Sequence, residues 1–223
     1  MGLIINENDK ILITAPHPDD ESIGCGGLLG LYRGQCDVLL ATDGYREDLN
    51  NKEASELRVS EFIKATDYLG VCKRIMLHIP ENRIKKHFKD FLDIDLSKYK
   101  YIFVPNRYEE HTDHLALYKA IKRALKKKHS KAELVEYEVW TTIRKPNIKI
   151  DISEVVDKKR YAIECHNSQV KELDYAEMIL GLNSYRGKSR GCNYAEMFYS
   201  QKKDKQQRKK KFIRTIKSFI KKK

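Results

Sequence analysis

The sequence lacks the features of a secreted, disulfide-bonded or membrane-spanning protein. No apolar run is as long as a bilayer span, so we expect no transmembrane helix. The N-terminus does not combine a basic start with a long apolar stretch, so we expect no cleaved secretory signal. The five cysteines are odd in number and form no CxxC pair, which argues against a disulfide framework and a structural cysteine–zinc site. A reducing compartment fits this cysteine usage, and we expect a cytoplasmic protein.

The net charge of +12 is concentrated in the C-terminal tail. Residues 202–223 hold twelve of the 44 basic residues and one of the 32 acidic residues, which is a charge of +11. Residues 1–201 therefore carry +1 and lack the charge of a nucleic-acid-binding domain, so we do not expect a nucleic-acid partner. The length of 223 residues suits one domain with its own core, which we place at 1–201 with a basic tail at 202–223.

The tail repeats apolar residues at helical spacing, with lysine and arginine on the other face. The apolar residues are Phe212, Ile213, Ile216, Phe219 and Ile220. A basic amphipathic helix of this kind is typical of binding to an anionic membrane surface. We therefore expect peripheral association with the inner face of the membrane. A solvated tail, an RNA-binding segment and a docking helix are the alternatives.

Short apolar runs alternate with amphipathic segments along most of the chain. Strands are predicted at 10–15, 36–41, 74–79 and 101–104, and helices at 21–33, 53–69 and 114–128. Further strands are predicted at 134–142 and 148–152, and further helices at 153–165 and 170–182. This alternation predicts a Rossmann-like α/β layered fold with a mainly parallel sheet flanked by helices.

Two polar motifs follow predicted strands, where such sheets bind their ligands. Residues 16–21 read PHPDDE after the first strand, and residues 111–114 read HTDH after the fourth. Adjacent carboxylates repel and resist burial, so a cation is the simplest explanation for the first motif. Together the motifs can offer two histidines and one carboxylate to one metal, a set typical of catalytic zinc. Alone, the acidic pair could cap a helix, and HTDH could be a polar helix start.

At this point the motifs resemble a known family. PHPDDE followed by GCGG, with HTDH about ninety residues later, resembles the PIG-L/LmbE family of zinc-dependent N-acetylglucosaminyl deacetylases. The segments TDG at 42–44, GLNSYRG at 181–187 and YAEMF at 194–198 also look like family features. One departure lies at residues 109–114, where many members read Asp-Arg-His-Pro-Asp-His and this chain has Glu110 in place of the arginine and Thr112 in place of the proline.

The resemblance implies roles for six residues. The implied ligands of a zinc ion, or of another divalent metal, are His17, Asp20 and His114. Asp19 resembles the general base that deprotonates the attacking water. His111 resembles the group that stabilises the oxyanion or protonates the leaving amine, with Asp113 tuning its charge.

Three further residues are candidate substrate contacts. Arg58 matches a family arginine that contacts a sugar hydroxyl or phosphate, although an ion pair with Glu61 would also explain it. Arg144 could likewise contact the substrate or form a surface ion pair. Tyr108 could line the pocket or lie on a surface loop. His166 is interpreted as part of a pocket wall or a hydrogen-bonded turn.

The motifs favour a zinc amidohydrolase that removes acetyl from an N-acetylglucosamine-type sugar on a glycan, lipid or nucleotide carrier. One alternative is a deacylase of a non-glycan N-acyl metabolite. Another is a non-catalytic module that binds membrane or nucleic acid through the basic tail. A binding module has no use for Asp19 beside Asp20, which separates it from the enzyme.

Overall fold

The computed structural model describes residues 3–170, 173–206 and 209. The strands are β1 (Ile11–Ala15), β2 (Cys36–Thr42), β3 (Lys73–Ile79), β4 (Tyr101–Pro105), β5 (Glu133–Tyr137), β6 (Ile148–Asp151) and β7 (Ala195–Phe198). The α-helices are α1 (Asp20–Leu31), α2 (Lys52–Leu69), α3 (Thr112–Lys127), α4 (Val156–Glu164), α5 (Asn167–Val170) and α6 (Tyr175–Lys188). Short 3₁₀ helices cover Ile84–Lys86, Phe88–Leu92 and Ser153–Val155.

Five strands form one parallel sheet in the order β3-β2-β1-β4-β5, which confirms the predicted fold class. The strand order reverses between β1 and β4, so the chain leaves these two neighbours toward opposite faces of the sheet. The strands β6 and β7 form a separate antiparallel pair. A single bridge between Glu136 and Tyr199 links this second sheet to β5.

The large sheet is buried on both faces. On β1, Ile11 and Ile13 belong to the core beneath α1, α2, α4 and α6, whereas Leu12 belongs to the core beneath α3 and the 3₁₀ helices. All three side chains are fully buried, which explains why β1 reads as a continuous apolar run. The sheet is therefore a rigid support for the loops at its edge.

Helix α1 packs closely against its neighbours because glycine lines its buried side. A Cβ atom on Gly27 would lie 2.4 Å from Cγ2 of Ile152. The backbone N–H groups of Gly27 and Leu28 donate to the Glu196 carboxylate, at 2.7 and 2.9 Å. Lys159, which is fully buried, donates to the same carboxylate at 2.7 Å. These contacts tie α1 to α4 and β7.

The C-terminal half differs from its predicted boundaries. Strand β5 ends at Tyr137, five residues before the predicted end, and α6 begins at Tyr175 rather than near residue 170. The Asp174 carboxylate accepts a hydrogen bond from the Glu177 backbone N–H, and this cap fixes the start of α6. Strand β7 was not predicted.

Most of the tail, including its apolar stripe at residues 212–220, lies outside the described residues. Among the residues that the structure describes, no helix has both the length and the apolar character to cross a bilayer.

Two glycine-to-alanine substitutions inside helices should have opposite effects on stability, because only the glycine in α1 is closely packed. Gly27→Ala should destabilise the fold by about 1–3 kcal/mol, because the methyl group would overlap Ile152. Gly181→Ala in α6 meets no atom within 4 Å and should stabilise the fold by about 0.5–1 kcal/mol. Urea unfolding of both variants measures the difference, and equal effects would contradict the packing described for α1.

Candidate active site

The two polar motifs meet because they follow neighbouring strands. The PHPDDE loop leaves β1 and the HTDH segment follows β4, and these parallel strands pair directly. Three imidazoles are brought together here, those of His17, His111 and His114. Their ring centroids are 4.8 to 5.4 Å apart, and one nitrogen from each ring lies within 4.8 Å of the others. Residues about ninety positions apart in sequence therefore form one cluster.

The Asp20 carboxylate contacts two of the imidazoles. Its Oδ2 lies 3.4 Å from His17 Nδ1 and 3.3 Å from His114 Nε2. Two ligands of one tetrahedral ion lie about 3.4 Å apart when each bond is about 2.1 Å. Both separations therefore match those of neighbouring ligands on a single cation.

His114 supplies a second test of whether a cation fits. The side chain is fully buried, and neither ring nitrogen makes a well-formed hydrogen bond with the residues that the structure describes. The nearest carboxylate oxygens are those of Asp20, on Nε2, and of Glu109, whose Oε2 lies 3.6 Å from Nδ1. Buried polar atoms normally have partners, so the Nε2 atom is suited to a metal ion. The cluster can hold a metal.

The charges in the cluster are strongly coupled. Burial opposes a charge on His114, but Asp20 and Glu109 outweigh it and raise the pKa of His114 to about 10. Burial likewise opposes a charge on His17, but the hydrogen bonds that its ring donates to Asp113 and Asp20 raise the pKa of His17 to about 9. Although burial disfavours its charge, Asp20 has a pKa below the usual range because of the two imidazoles. The buried carboxylates are therefore stable only beside positive charge, which protons or a metal ion can supply.

The Asp113 carboxylate contacts His17 rather than His111. Its Oδ2 accepts a hydrogen bond from His17 Nε2 at 3.2 Å and from the Asn82 backbone N–H at 2.7 Å. A carboxylate behind a histidine fixes the ring and leaves the other nitrogen, here Nδ1, for a metal. The carboxylate also favours a charge on His111, although burial and the neighbouring imidazoles outweigh it, and the expected tuning of His111 by Asp113 stays a prediction.

His111 occupies the N-cap position of α3. Its Nδ1 accepts a hydrogen bond from the Asp113 backbone N–H at 3.3 Å. Burial and the neighbouring imidazoles, first His17 and then His114, lower the pKa of His111. A neutral ring that accepts at Nδ1 carries its proton on Nε2, which can then donate to an oxygen.

Asp19 is held in a strained conformation beside the cluster. Its φ of 147° is rare for a residue other than glycine, and strain of this kind often accompanies function. Asp19 occupies the N-cap position of α1, yet its side chain makes no capping hydrogen bond. Burial and then the neighbouring Asp20 charge raise the pKa of Asp19 to about 7. The helix-capping explanation of the acidic pair therefore does not account for this residue.

A second layer of residues supports Asp19. Glu21 accepts a hydrogen bond from the Asp19 backbone N–H at 3.2 Å. The other oxygen of Glu21 contacts Ser22 Oγ at 2.6 Å and His166 Nε2 at 3.1 Å. His166 is almost completely buried, and burial opposes its charge, but Glu21 raises the pKa of His166 overall. The turn at His166 is hydrogen-bonded, as one of the two sequence interpretations had it.

Of the three predicted substrate contacts, only Arg58 lies beside the cluster. Its Nη2 is 3.8 Å from Asp19 Oδ2, and its buried Nε has no hydrogen-bond partner in the described part of the chain. The alternative partner Glu61 instead accepts from the Ser168 backbone N–H and hydroxyl, at 2.8 and 2.6 Å. Gly44, with φ of 79°, leaves room for the guanidinium, because a Cβ there would lie 2.8 Å from Nη1.

Tyr108 and Arg144 line a separate open groove of about 520 Å³. The residues that line this groove include none of the three imidazoles. Tyr108 is 68% exposed, which fits the surface-loop interpretation. Contact of either residue with a substrate stays a prediction.

Comparison with known families places this geometry in context. The PIG-L family, described as GlcNAc-PI de-N-acetylase, matches residues 12–125, which is just over half of the chain and includes both motifs. The chain belongs to the PIG-L family. The resemblance noted in the sequence is thereby confirmed, and the matched region runs from β1 through most of α3.

Three relatives are similar to this PIG-L protein over most of its length. Diacetylchitobiose deacetylase of Thermococcus kodakarensis is 28% identical, covering 86% of this chain and 82% of that protein. Probable N-acetyl-alpha-D-glucosaminyl L-malate deacetylase 2 of Bacillus cereus is 26% identical, covering 73% and 84%. The structure of N,N'-diacetylchitobiose deacetylase from Pyrococcus horikoshii has a TM-score of 0.70 at 24% identity, covering 86% and 84%, and supports the fold.

Two carboxylates that lie beside the clustered imidazoles were not predicted from the sequence. Glu109 contacts His114, and its Oε1 accepts from Asn106 Nδ2 and the Thr141 backbone N–H, both at 3.1 Å. Glu81 lies 3.7 Å from His17. Both residues follow predicted strands, but no sequence pattern distinguishes them from the exposed residues beside them.

Adjacent glutamates provide a matched test of this second layer. Glu109→Gln should weaken metal binding roughly 10–100-fold, because the carboxylate behind His114 would be lost. Glu110→Gln changes an exposed neighbour and should leave metal affinity unchanged. Metal titration against a chelator of known affinity compares the two, and equal affinities would show that Glu109 does not support the site.

Proposed function

We propose that this protein is an amide hydrolase that removes the acetyl group from an N-acetylglucosamine-type sugar. The observation that carries the proposal is the joint placement of His17, Asp20 and His114 as neighbouring donors, with the carboxylate of Asp19 beside them. The family and both curated relatives carry names of N-acetylglucosamine or diacetylchitobiose deacetylases, which supports this class of substrate.

We propose zinc as the resident ion, held by His17, Asp20 and His114. Two imidazole nitrogens and one carboxylate oxygen are typical of catalytic zinc, although iron and cobalt accept the same donors. When bound, such an ion polarises an amide carbonyl and lowers the pKa of water to about 7.

Asp19 then acts as the general base. It accepts a proton from the water that attacks the acetamide carbon, and this proton can pass to the sugar nitrogen when the C–N bond breaks. The strained backbone and the hydrogen bond from Asp19 N–H to Glu21 hold the carboxylate in place. As the C–N bond breaks, the sugar nitrogen takes a proton and leaves as a free amine, and the acetyl group leaves as acetate.

His111 and Arg58 complete the proposed site. The Nε2–H of His111 donates to the developing oxyanion, because Nδ1 is already used by the Asp113 backbone N–H. Arg58 has an unpartnered buried Nε beside Asp19 and is suited to a hydroxyl or phosphate oxygen of the substrate. Tyr108 and Arg144 contact the substrate only if it reaches their separate groove.

We further propose that residues 1–201 form the enzyme and that residues 202–223 bind an anionic membrane surface on the cytoplasmic side. The charge of +11 in the tail supports attraction of about 1 kcal/mol for each basic residue near anionic lipid. Lipid-linked sugars would then be natural substrates.

Substitution of Asp19 tests the proposed reaction. Asp19→Asn should retain the metal and lower turnover roughly 10²–10⁴-fold, because the variant removes the base and leaves the ligands. Asp20→Asn should lose metal and turnover together. Metal analysis and acetate release from a panel of N-acetylated sugars and non-sugar acetamides measure both quantities. An unchanged rate in Asp19→Asn would show that Asp19 is not the base, and acetate release from non-sugar acetamides alone would refute the substrate class.

Vesicle binding tests the tail in the full-length chain. The double substitution Ile216→Asp and Phe219→Asp should abolish co-sedimentation with anionic vesicles, because it removes the apolar stripe. Ile4→Asp changes an exposed apolar residue of the body and serves as the control. Equal pelleting of the wild type and the tail variant would end the membrane proposal.

A further inference from the structure

The only tryptophan of the chain lies exposed at the edge of the candidate site. Trp140 follows β5, at the carboxyl edge of the sheet, and 44% of it is accessible to solvent. Its indole meets the Tyr175 ring edge to face, with ring centroids 5.2 Å apart and an interplanar angle of 70°. Tyr175 is partly buried against the core and supports the indole, so Trp140 offers the exposed aromatic surface of this pair to a ligand.

The loop that carries Trp140 is firmly anchored on both sides. Thr141 donates its backbone N–H to Glu109 Oε1 at 3.1 Å and accepts from Asn106 Nδ2 at 2.7 Å. Ile143 donates its backbone N–H to Glu138 at 2.7 Å. The backbone around Trp140 is therefore fixed, and an anchored aromatic surface loses little conformational entropy when a ligand binds.

The same hydrogen bonds connect the loop that carries Trp140 to the cluster of three imidazoles. The carboxylate that receives the Thr141 N–H is that of Glu109, and its other oxygen lies 3.6 Å from His114 Nδ1. One side chain thus joins the residue next to Trp140 to a proposed metal ligand.

We propose that Trp140, supported by Tyr175, forms a stacking subsite for a second pyranose ring joined to the N-acetylated sugar. This inference rests on the proposed function. One face of a pyranose carries C–H groups, and this apolar face packs against an aromatic ring without any charged partner. Glu138, two residues before Trp140, already pairs with Arg186. The substrate is then an oligosaccharide or glycan rather than a single sugar.

A second aromatic pair provides a matched control. Tyr68 and Tyr161 have ring centroids 4.3 Å apart, and each is 41% exposed. Tyr68 is in the last turn of α2, a helix that starts at the carboxyl edge of the sheet and therefore ends toward the opposite edge. Tyr68→Ala removes a similarly exposed, similarly stacked aromatic ring far from the proposed subsite.

The activity test compares substrates of different length. Trp140→Ala should lower kcat/KM for N,N'-diacetylchitobiose and N,N',N''-triacetylchitotriose roughly fivefold to tenfold, and change the value for N-acetylglucosamine less than about twofold. Trp140→Phe should restore most of the loss, and Tyr68→Ala should change none of the three values. An equal loss on all three sugars, or no loss on any, would overturn the subsite.

Fluorescence tests the subsite without relying on turnover. Because Trp140 is the only tryptophan, selective excitation of indole reports on this position alone. In the full-length Asp19→Asn protein, titration with N,N'-diacetylchitobiose should change the emission and saturate, whereas N-acetylglucosamine should have little effect. No change with any of these saccharides would overturn the subsite. Absence of acetate release from every N-acetylated sugar, with a saturable emission change intact, would instead refute the proposed reaction.

Discussion

The pairing of β1 with β4 is the constraint on which the site depends. These neighbouring parallel strands deliver the PHPDDE loop and the HTDH segment to one point at the sheet edge. There, Asp20 is almost fully buried against two imidazoles, and such a carboxylate is stable only beside positive charge. The cluster therefore needs positive charge, which protonated imidazoles or a metal ion can supply. The rest of the fold keeps these two loops in register.

The support around the cluster is built largely from further carboxylates. Asp113 orients His17, Glu109 lies behind His114, and Glu21 holds the backbone of Asp19. Each has a second anchor outside the cluster, such as the Asn82 N–H for Asp113 or His166 for Glu21. Each of these carboxylates therefore holds its neighbour in a fixed position and is itself held by a second contact. Proton transfer over short distances requires such precise placement.

Much of this architecture could be predicted from the sequence, because the apolar runs of the first half are strong and are ended by proline or glycine. The helix predicted at 53–69 ends at Leu69, and Gly70 follows it with a left-handed φ of 75°. Boundaries failed where tertiary contacts decided them. The run after β5 looks strand-like through residue 142, yet the backbone bends at residues 139–141 and the Glu138 carboxylate accepts the Ile143 backbone N–H. Ile63 in α2 is 38% exposed although it is apolar.

The site could be predicted less completely than the fold. The motif residues cluster because strand ends meet, which sequence patterns foresee. The role of Asp113, the second layer at Glu109 and Glu21, and the exposed setting of Trp140 depend on how separate segments pack. No spacing rule encodes such contacts, since Glu109 and Glu110 are the same residue type at adjacent positions and only one faces His114.

The central claim concerns which side chains hold the metal ion, and anomalous X-ray diffraction from crystals grown with zinc tests it most directly. The account predicts one strong peak bonded to His17 Nδ1, Asp20 Oδ2 and His114 Nε2, with His111 Nδ1 still accepting from the Asp113 backbone N–H. A peak coordinated by the three imidazoles with Asp20 outside the coordination shell would contradict the ligand set. The absence of any peak at the cluster would contradict the account as a whole.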